Sequence, residues 1–428
     1  MALLLSATYC LSFIDRYMLS LMVQPIKADL GLSDTEVGLL SGVAFGLFYA
    51  VAHVPMGRIA DRTSRRGLIA GGVFVWSAMT AMSGMASSFV TLFIGRMGLG
   101  LGEAALLPGG VSLISDYFPP NRRGRAIGFF MMGASIGSGL AIMVGGAVVG
   151  LTRGAADTAL PLIGAGRPWQ LAFLCVGIPG MLFSLIFLAV PEPIRRSAGG
   201  AATPAGEASG LGAFLHQHRV LLALHLAGMS ACSACSYGFA TWTPTFLIRV
   251  FGWSAEQVGI GYGPVVMLAS AGGMFTGGAL SDRRVRLGDA AGPIRVAAFG
   301  LLLLAVATPI STQLGNVSAT MAMLGLVTFA IAVPYGVSLT GLMAITPNTL
   351  RGTISAIYMF CISVAGFGVG PTFVGYLSDH VFTAADGLRH AISTLGLATA
   401  PFACLAMFVV IRRYARVLAA APLESTDG

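Results

Sequence analysis

Three ionisable side chains stand inside long apolar runs of this 428-residue chain: Asp15, Arg96 and Glu103. A charge at the centre of a membrane-spanning helix costs about 2.5–3.5 kcal/mol or more, so such groups are the first functional candidates. Helical spacing puts Arg96 and Glu103 on one face, about two turns apart. Asp15 is followed by Arg16, and helix neighbours point about 100° apart. Asp15 is therefore expected to face the bundle interior, with Arg16 turned toward a neighbouring helix or the extracellular half. Gly98, Gly100 and Gly102 would let another helix come close to the Arg96–Glu103 face. Asp15, Arg96 and Glu103 on one wall would be nearly charge-balanced. Burial favours a neutral carboxyl and a neighbouring guanidinium favours the ionised one. Asp15, with Glu103 as second choice, thus suits a proton-coupling switch. Arg96, with Glu103 beside it, suits substrate binding, because a guanidinium holds phosphate or carboxylate in two-point fashion. The structural alternative is a fixed ion pair that ties helices together.

Such groups need helices in lipid to hold them, and the composition supplies these. Hydrophobic residues make up 56% of the chain and charged ones 10%, with mean hydropathy +0.83. A water-soluble domain carries about 25% charged residues. Fifty-eight glycines fit close helix packing in a membrane. A spanning helix needs about 20 mostly apolar residues. Twelve segments qualify, at 2–26, 35–60, 67–86, 89–117, 124–150, 168–190, 216–250, 255–281, 293–312, 317–346, 351–379 and 388–416. The first carries Asp15-Arg16 near its middle and continues to Pro25, too long and too polar for the apolar core of a cleavable signal.

The net charge of +8 does not form one patch, which argues against nucleic acid. With both termini cytoplasmic, 18 basic residues fall on the inner connections, Arg195 and Arg196 among them, and five, including Arg153, on the outer ones. This is the positive-inside pattern, and it implies an integral protein of the plasma (inner) membrane. Residues 192–213 read as a flexible cytoplasmic linker. They divide a six-helix bundle at 1–191 from a second at 214–416, with a cytoplasmic tail at 417–428. The halves echo each other: Gly57-x-x-x-Asp61-Arg62 recurs as Gly278-x-x-x-Asp282-Arg283 at an offset of 221, and Arg123-Gly124 recurs as Arg351-Gly352 at 228. Two signals at nearly one offset indicate a repeat of two bundles.

Residues 57–66, GRIADRTSRR, resemble the loop signature of the major facilitator superfamily. Arg96-x-Gly98-x-Gly100 resembles that superfamily's helix-four motif. A closer resemblance, to the Spinster-like branch, lies in Phe13-Ile14-Asp15-Arg16-Tyr17, Phe74-x-Trp76-Ser77 and the run from Arg96 to Glu103-Ala104. Members of that branch are linked to lysophospholipids and sphingosine phosphate. Anion:cation symporters share a similar Asp-Arg element. The resemblance implies a twelve-helix, all-α membrane fold of two pseudo-symmetric bundles, working by alternating access. It implies gating roles for Gly57, Asp61, Arg62, Arg65 and Arg66, and for Asp282 and Arg283 in the shortened copy.

Further substrate-binding candidates are Tyr237, Thr241 and Trp242 in the seventh segment and Tyr335 in the tenth. Pro244, Pro264 and Pro334 mark expected bends. His53 and His225 suit packing better than proton relay. Cys232 and Cys235 form a lone CxxC with no second pair beside it, so no metal site is expected. There is no Walker loop, nucleophile elbow or HExxH, so neither an enzyme nor a cofactor is expected. The expected function is proton-linked movement of an amphipathic anionic, lipid-like solute by a monomer. A proton-coupled carrier of a small organic anion is the second reading, and a non-transporting receptor or scaffold the third.

Overall fold

The computed structural model describes residues 1–152, 158–160, 164–193 and 207–420. Arg153, Arg195, Arg196, residues 194–206 of the expected linker and residues 421–428 of the tail lie outside these.

The first half of the chain runs α1 (Ala2–Leu21), α2 (Val23–Leu30), α3 (Asp34–Ser41), α4 (Val43–Arg62), α5 (Arg65–Ser83), α6 (Phe89–Glu103), α7 (Leu106–Tyr117), α8 (Pro120–Thr152), α9 (Pro168–Ser184) and α10 (Ile186–Ala189). A small antiparallel hairpin, β1 (Thr158–Leu160) with β2 (Gly164–Gly166), pairs Thr158 with Gly166 between α8 and α9. The second half runs α11 (Glu207–Gln217), α12 (Arg219–Phe251), α13 (Ala255–Arg286), α14 (Gly292–Ser311), α15 (Val317–Ile345), α16 (Arg351–Ser363), α17 (Gly370–His380) and α18 (Gly387–Ala420). A π-helical turn, Val364–Val369, joins α16 to α17.

Among the described residues, ten helical stretches are long and apolar enough to cross a membrane. The 20-residue α1 and 19-residue α5 complete the twelve segments. The all-α membrane fold is therefore observed, with the short hairpin its one β element among the described residues. The interruptions differ from those expected. Pro244, Pro264 and Pro334 sit inside unbroken helices, since a membrane helix can re-satisfy the backbone groups that a proline frees. Breaks fall instead at points such as Met22, Gly42, Ala104–Ala105, Leu185 and the π turn.

Two compact units are present. One comprises the described residues of Met1–Arg196, Ser236–Leu268 and Gly366–Leu395. The other comprises those of Ser197–Cys235, Ala269–Ala365 and Gly396–Gly428. The first has a core of buried side chains around Phe45, Val73, Trp76, Leu99, Phe130 and Phe367. In the second, Val296, Ala297, Val333 and Val337 pack together. Its buried His225 faces Ser338, Nε2 to Oγ at 3.0 Å.

Candidate functional site

The site builds from α1 outward. Asp15 and Arg16 diverge around the helix as their adjacency requires. Asp15 is 1% exposed, and neither of its carboxylate oxygens completes a hydrogen bond. Trp76 and Thr80 of α5 flank it, and the Trp76 indole N–H is itself unpartnered. Arg16 points the other way. Its Nε donates to Glu103 Oε2 at 2.7 Å, and its Nη2 donates to the same oxygen. Glu103 Oε1 has no partner. The Arg16 guanidinium carbon also lies 5.0 Å from the Phe13 ring centre, 4.7 Å from Phe45, 5.2 Å from Tyr49 and 5.8 Å from Phe367. Four rings around one cation supply cation–π attraction in place of water.

Arg96, 2% exposed, does not pair with Glu103. Its Nε donates to the Leu40 carbonyl at 3.4 Å and its Nη1 to the Asp15 carbonyl at 3.2 Å. Leu40 lies in the last turn of α3, next to the Gly42 break, and its carbonyl is within Arg96's reach. The expected three-residue set thus becomes a four-residue one. Arg16 joins it as the partner of Glu103, Arg96 binds backbone, and the Asp15 carboxylate stands apart toward α5.

A small cavity of about 50 Å³ opens beside both arginines. Phe13, Phe45, Phe367 and Ala240 give it apolar wall, and Tyr17, Ser20, Ser41, Tyr237 and Thr241 bring hydroxyl-bearing side chains. Two positive charges, rings and hydroxyls together suit an anion with an apolar body. Of the candidates named from sequence, Arg96, Tyr237 and Thr241 line the cavity. Trp242 does not: it is fully buried, and its indole N–H donates to the Pro371 carbonyl at 2.8 Å. Tyr335 belongs to the second compact unit and is half-buried there.

The signature at 57–66 divides into two groups. Asp61 and Arg62 are exposed at the end of α4 and make no ion pair among the described residues. Arg65 is 2% exposed. It pairs with Asp116 and with Glu192, Nε to Oε1 at 3.0 Å. Glu192 also accepts from Ser64 Oγ at 2.7 Å and from the backbone amides of Arg65 and Arg66, both at 3.0 Å. The carboxylate therefore caps the N-terminus of α5, where the helix dipole favours negative charge. Burial works against its ionised form. The Ser64 hydroxyl, the two amides and the Arg65 guanidinium prevail and hold its pKa at about 2. Arg66 Nη1 donates to the Val190 carbonyl at 2.9 Å. In the second unit, Asp282 and Arg283 are exposed at the end of α13, and Asp282 lines a shallow groove there.

A second polar cluster lies near the start of α3. Asp34, 3% exposed, accepts from both terminal nitrogens of Arg249 at 2.6 Å, from Ser378 Oγ at 2.7 Å and from Lys27. Asp379 in turn caps α3, accepting from the Asp34 amide at 3.0 Å and the Thr35 amide at 2.6 Å.

Sequence reasoning missed Arg16's place in the cavity, Phe45, Phe367, Glu192 and the Asp34 cluster. Signals were present for two of them. Phe367 sits in the run Gly366-Phe-Gly-Val-Gly370, unusual for a straight helix, and Glu192 is a lone acid between two prolines. Among the described residues, no cluster of His, Cys, Asp and Glu is arranged to hold a metal.

The Major Facilitator Superfamily family model matches residues 5–371. The chain is 27% identical over 409 residues to an MFS-type efflux pump of Mycolicibacterium smegmatis, covering 95% of this chain and 91% of that protein. It is 27% identical over 427 residues to a probable L-galactonate transporter of Escherichia coli, with 95% and 88% covered. A solved bacterial homolog of the human lysosomal transporter Spinster, inward-facing and unoccupied, superposes with TM-score 0.83 at 27% identity, covering 97% of each chain. The Spinster-like resemblance of the first half thus extends along the whole chain in three dimensions, and the chain belongs to the Major Facilitator Superfamily as a Spinster-like transporter, an integral membrane protein and not an enzyme.

Proposed function

We propose that this transporter moves an amphipathic anionic, lipid-like solute by alternating access, coupled to protons. The observation that carries the reading is the cavity in which Arg16 and Arg96 stand beside Phe13, Phe45 and Phe367. Guanidinium groups suit a phosphate or carboxylate head, and the rings suit an apolar body. The solute's anion competes with Glu103 for Arg16. Asp15, buried without a hydrogen bond, is the proton-coupling group, and Glu103 takes the proton when Arg16 turns to substrate. The resemblance of Phe13–Tyr17 and of the run from Arg96 to Glu103 to the Spinster-like branch, whose members are linked to lysophospholipids, supports the lipid-like class.

In this reading residues 1–191 and 214–416 are the two moving bundles, joined by the 192–213 linker. Both termini and the 417–428 tail face the cytoplasm of the plasma (inner) membrane, and a monomer suffices. Gly57, Asp61, Arg62, Asp282 and Arg283 close the cytoplasmic side in the outward-open state. Arg65 and Arg66 anchor that gate through Glu192.

A second reading, a small organic anion such as a sugar acid, is favoured by the hydroxyl-bearing side chains of Tyr17, Ser20, Ser41, Tyr237 and Thr241 in the same cavity. The L-galactonate transporter relative points the same way. The test is uptake into liposomes containing the purified protein, with labelled lysophospholipid and labelled galactonate compared, with and without an imposed proton gradient. Gradient-stimulated lysophospholipid uptake is expected. Galactonate uptake alone selects the second reading, and uptake of neither turns the assignment toward the receptor.

A further inference from the structure

The π-helical turn Val364–Val369 sits where its shape matters to the cavity. A π turn closes its backbone hydrogen bond over one more residue than an α turn, and such turns recur at functional sites. This one carries Phe367, 4% exposed, toward Arg16. The Phe367 ring centre lies 3.9 Å from Tyr237 and 5.0 Å from Phe45. It can come so far in because α4 has no side chain opposite. A Cβ on Gly46 would lie 1.9 Å from the Phe367 Cβ, and one on Gly42 would lie 2.2 Å from the Phe367 carbonyl oxygen. Gly366, Gly368 and Gly370 surround the ring-bearing residue in sequence, and glycine lowers the cost of leaving α-geometry.

We propose that Phe367 is the stopper of the anion cavity: its ring occupies the space that the apolar part of the solute takes, and sets how large that part can be. The inference rests on the anion-cavity reading above. When solute enters, the ring leaves Arg16 and Tyr237 and the solute's apolar body replaces it against Phe45. A slip of the π turn by one residue rotates the side chain by about 100°, enough to clear the cavity without unfolding α16 or α17.

The test reads access to the cavity and needs no solute. The six native cysteines are replaced by alanine or serine in the full-length protein, and Thr241→Cys is introduced on the cavity wall. Its reaction with the anionic thiol reagent sulfonatoethyl methanethiosulfonate is followed in detergent micelles. Phe367→Ala is expected to speed labelling at least tenfold. Phe367→Leu, which keeps packing volume against Gly46 but removes the ring, is expected to speed it severalfold and serves if the alanine variant does not fold. Labelling within twofold of the Phe367 protein in the folded variants overturns the stopper. Because no solute takes part, faster labelling in a protein that takes up no lysophospholipid sinks only the lipid-like-solute reading. Unchanged labelling in a protein that does take it up sinks only the stopper.

Discussion

Arg16 of α1 holds Glu103 at the end of α6, Nε to Oε2 at 2.7 Å, while Arg96, seven residues before Glu103 on the same helix, binds carbonyls instead. Both members of the pair are nearly dry, their side chains 11% and 1% exposed. Removing one partner of such a pair costs about 3–5 kcal/mol, because the other charge is left buried and unmatched. Replacing both with uncharged groups costs much less. Arg16→Met and Glu103→Gln are therefore each expected to lower the thermal midpoint of the purified protein more than the double variant does. Melting of the four proteins in one detergent checks this, and additive losses would show that the contact carries no coupling.

Asp15→Asn is expected to behave differently. No hydrogen bond is lost with the carboxylate, so the melting midpoint should stay close to that of the parent. Transport should instead lose its stimulation by a proton gradient. Uptake into liposomes at equal protein incorporation, with and without the gradient, separates the two effects. A variant that keeps full gradient stimulation would remove Asp15 from the coupling role.

The buried charges were legible because an ionisable residue inside an apolar run is conspicuous in any sequence. Asp15, Arg96 and Glu103 are all 2% exposed or less. Their partners were not legible. Spacing along α6 fixes that Arg96 and Glu103 share a face, but which guanidinium meets Glu103 depends on how α1 is rotated against α6. The sequence holds no signal for that rotation. Phe45 and Phe367 come from segments more than three hundred residues apart, and the glycine gaps that admit Phe367 are read only once α4 and the π turn are adjacent. Helix number came through clearly, since about 20 apolar residues are what a bilayer demands. Helix breaks came through poorly. Proline is the usual sequence cue for a break, yet here glycine and packing decide at Gly42 and at the π turn.

Glu192 yields a pH prediction. Its folded-state pKa falls from the ordinary 4.5 to about 2. A lowered carboxylate pKa stabilises the folded chain above the unfolded value, and that contribution disappears as pH falls through the folded one. The side chain is 26% exposed, and partial solvation holds the gain to about 1 kcal/mol. Glu192→Gln should thus melt lower than the parent by a constant margin above about pH 5. The margin should shrink progressively as pH drops from about 4.5 toward 2. Melting curves of both proteins across this range test it; a gap that widens in acid would show that the carboxylate is not what Ser64, Arg65 and Arg66 hold.

Gly57 and Gly46 lie three turns apart on α4 and make opposite predictions. An added Cβ at Gly57 meets no atom within 4 Å, whereas at Gly46 it would collide with Phe367. In a helix, alanine is preferred to glycine by roughly 0.5–1 kcal/mol. Gly57→Ala should therefore leave the melting midpoint unchanged or slightly raised, and Gly46→Ala should lower it. If Gly57 is needed for close approach when the cytoplasmic side shuts, Gly57→Ala should also cut transport at least tenfold despite its stability. A stable Gly57→Ala protein with full transport would mean that the first residue of the signature takes no part in the gate. Measuring melting and uptake on the same preparation keeps a folding defect from being mistaken for a gating one.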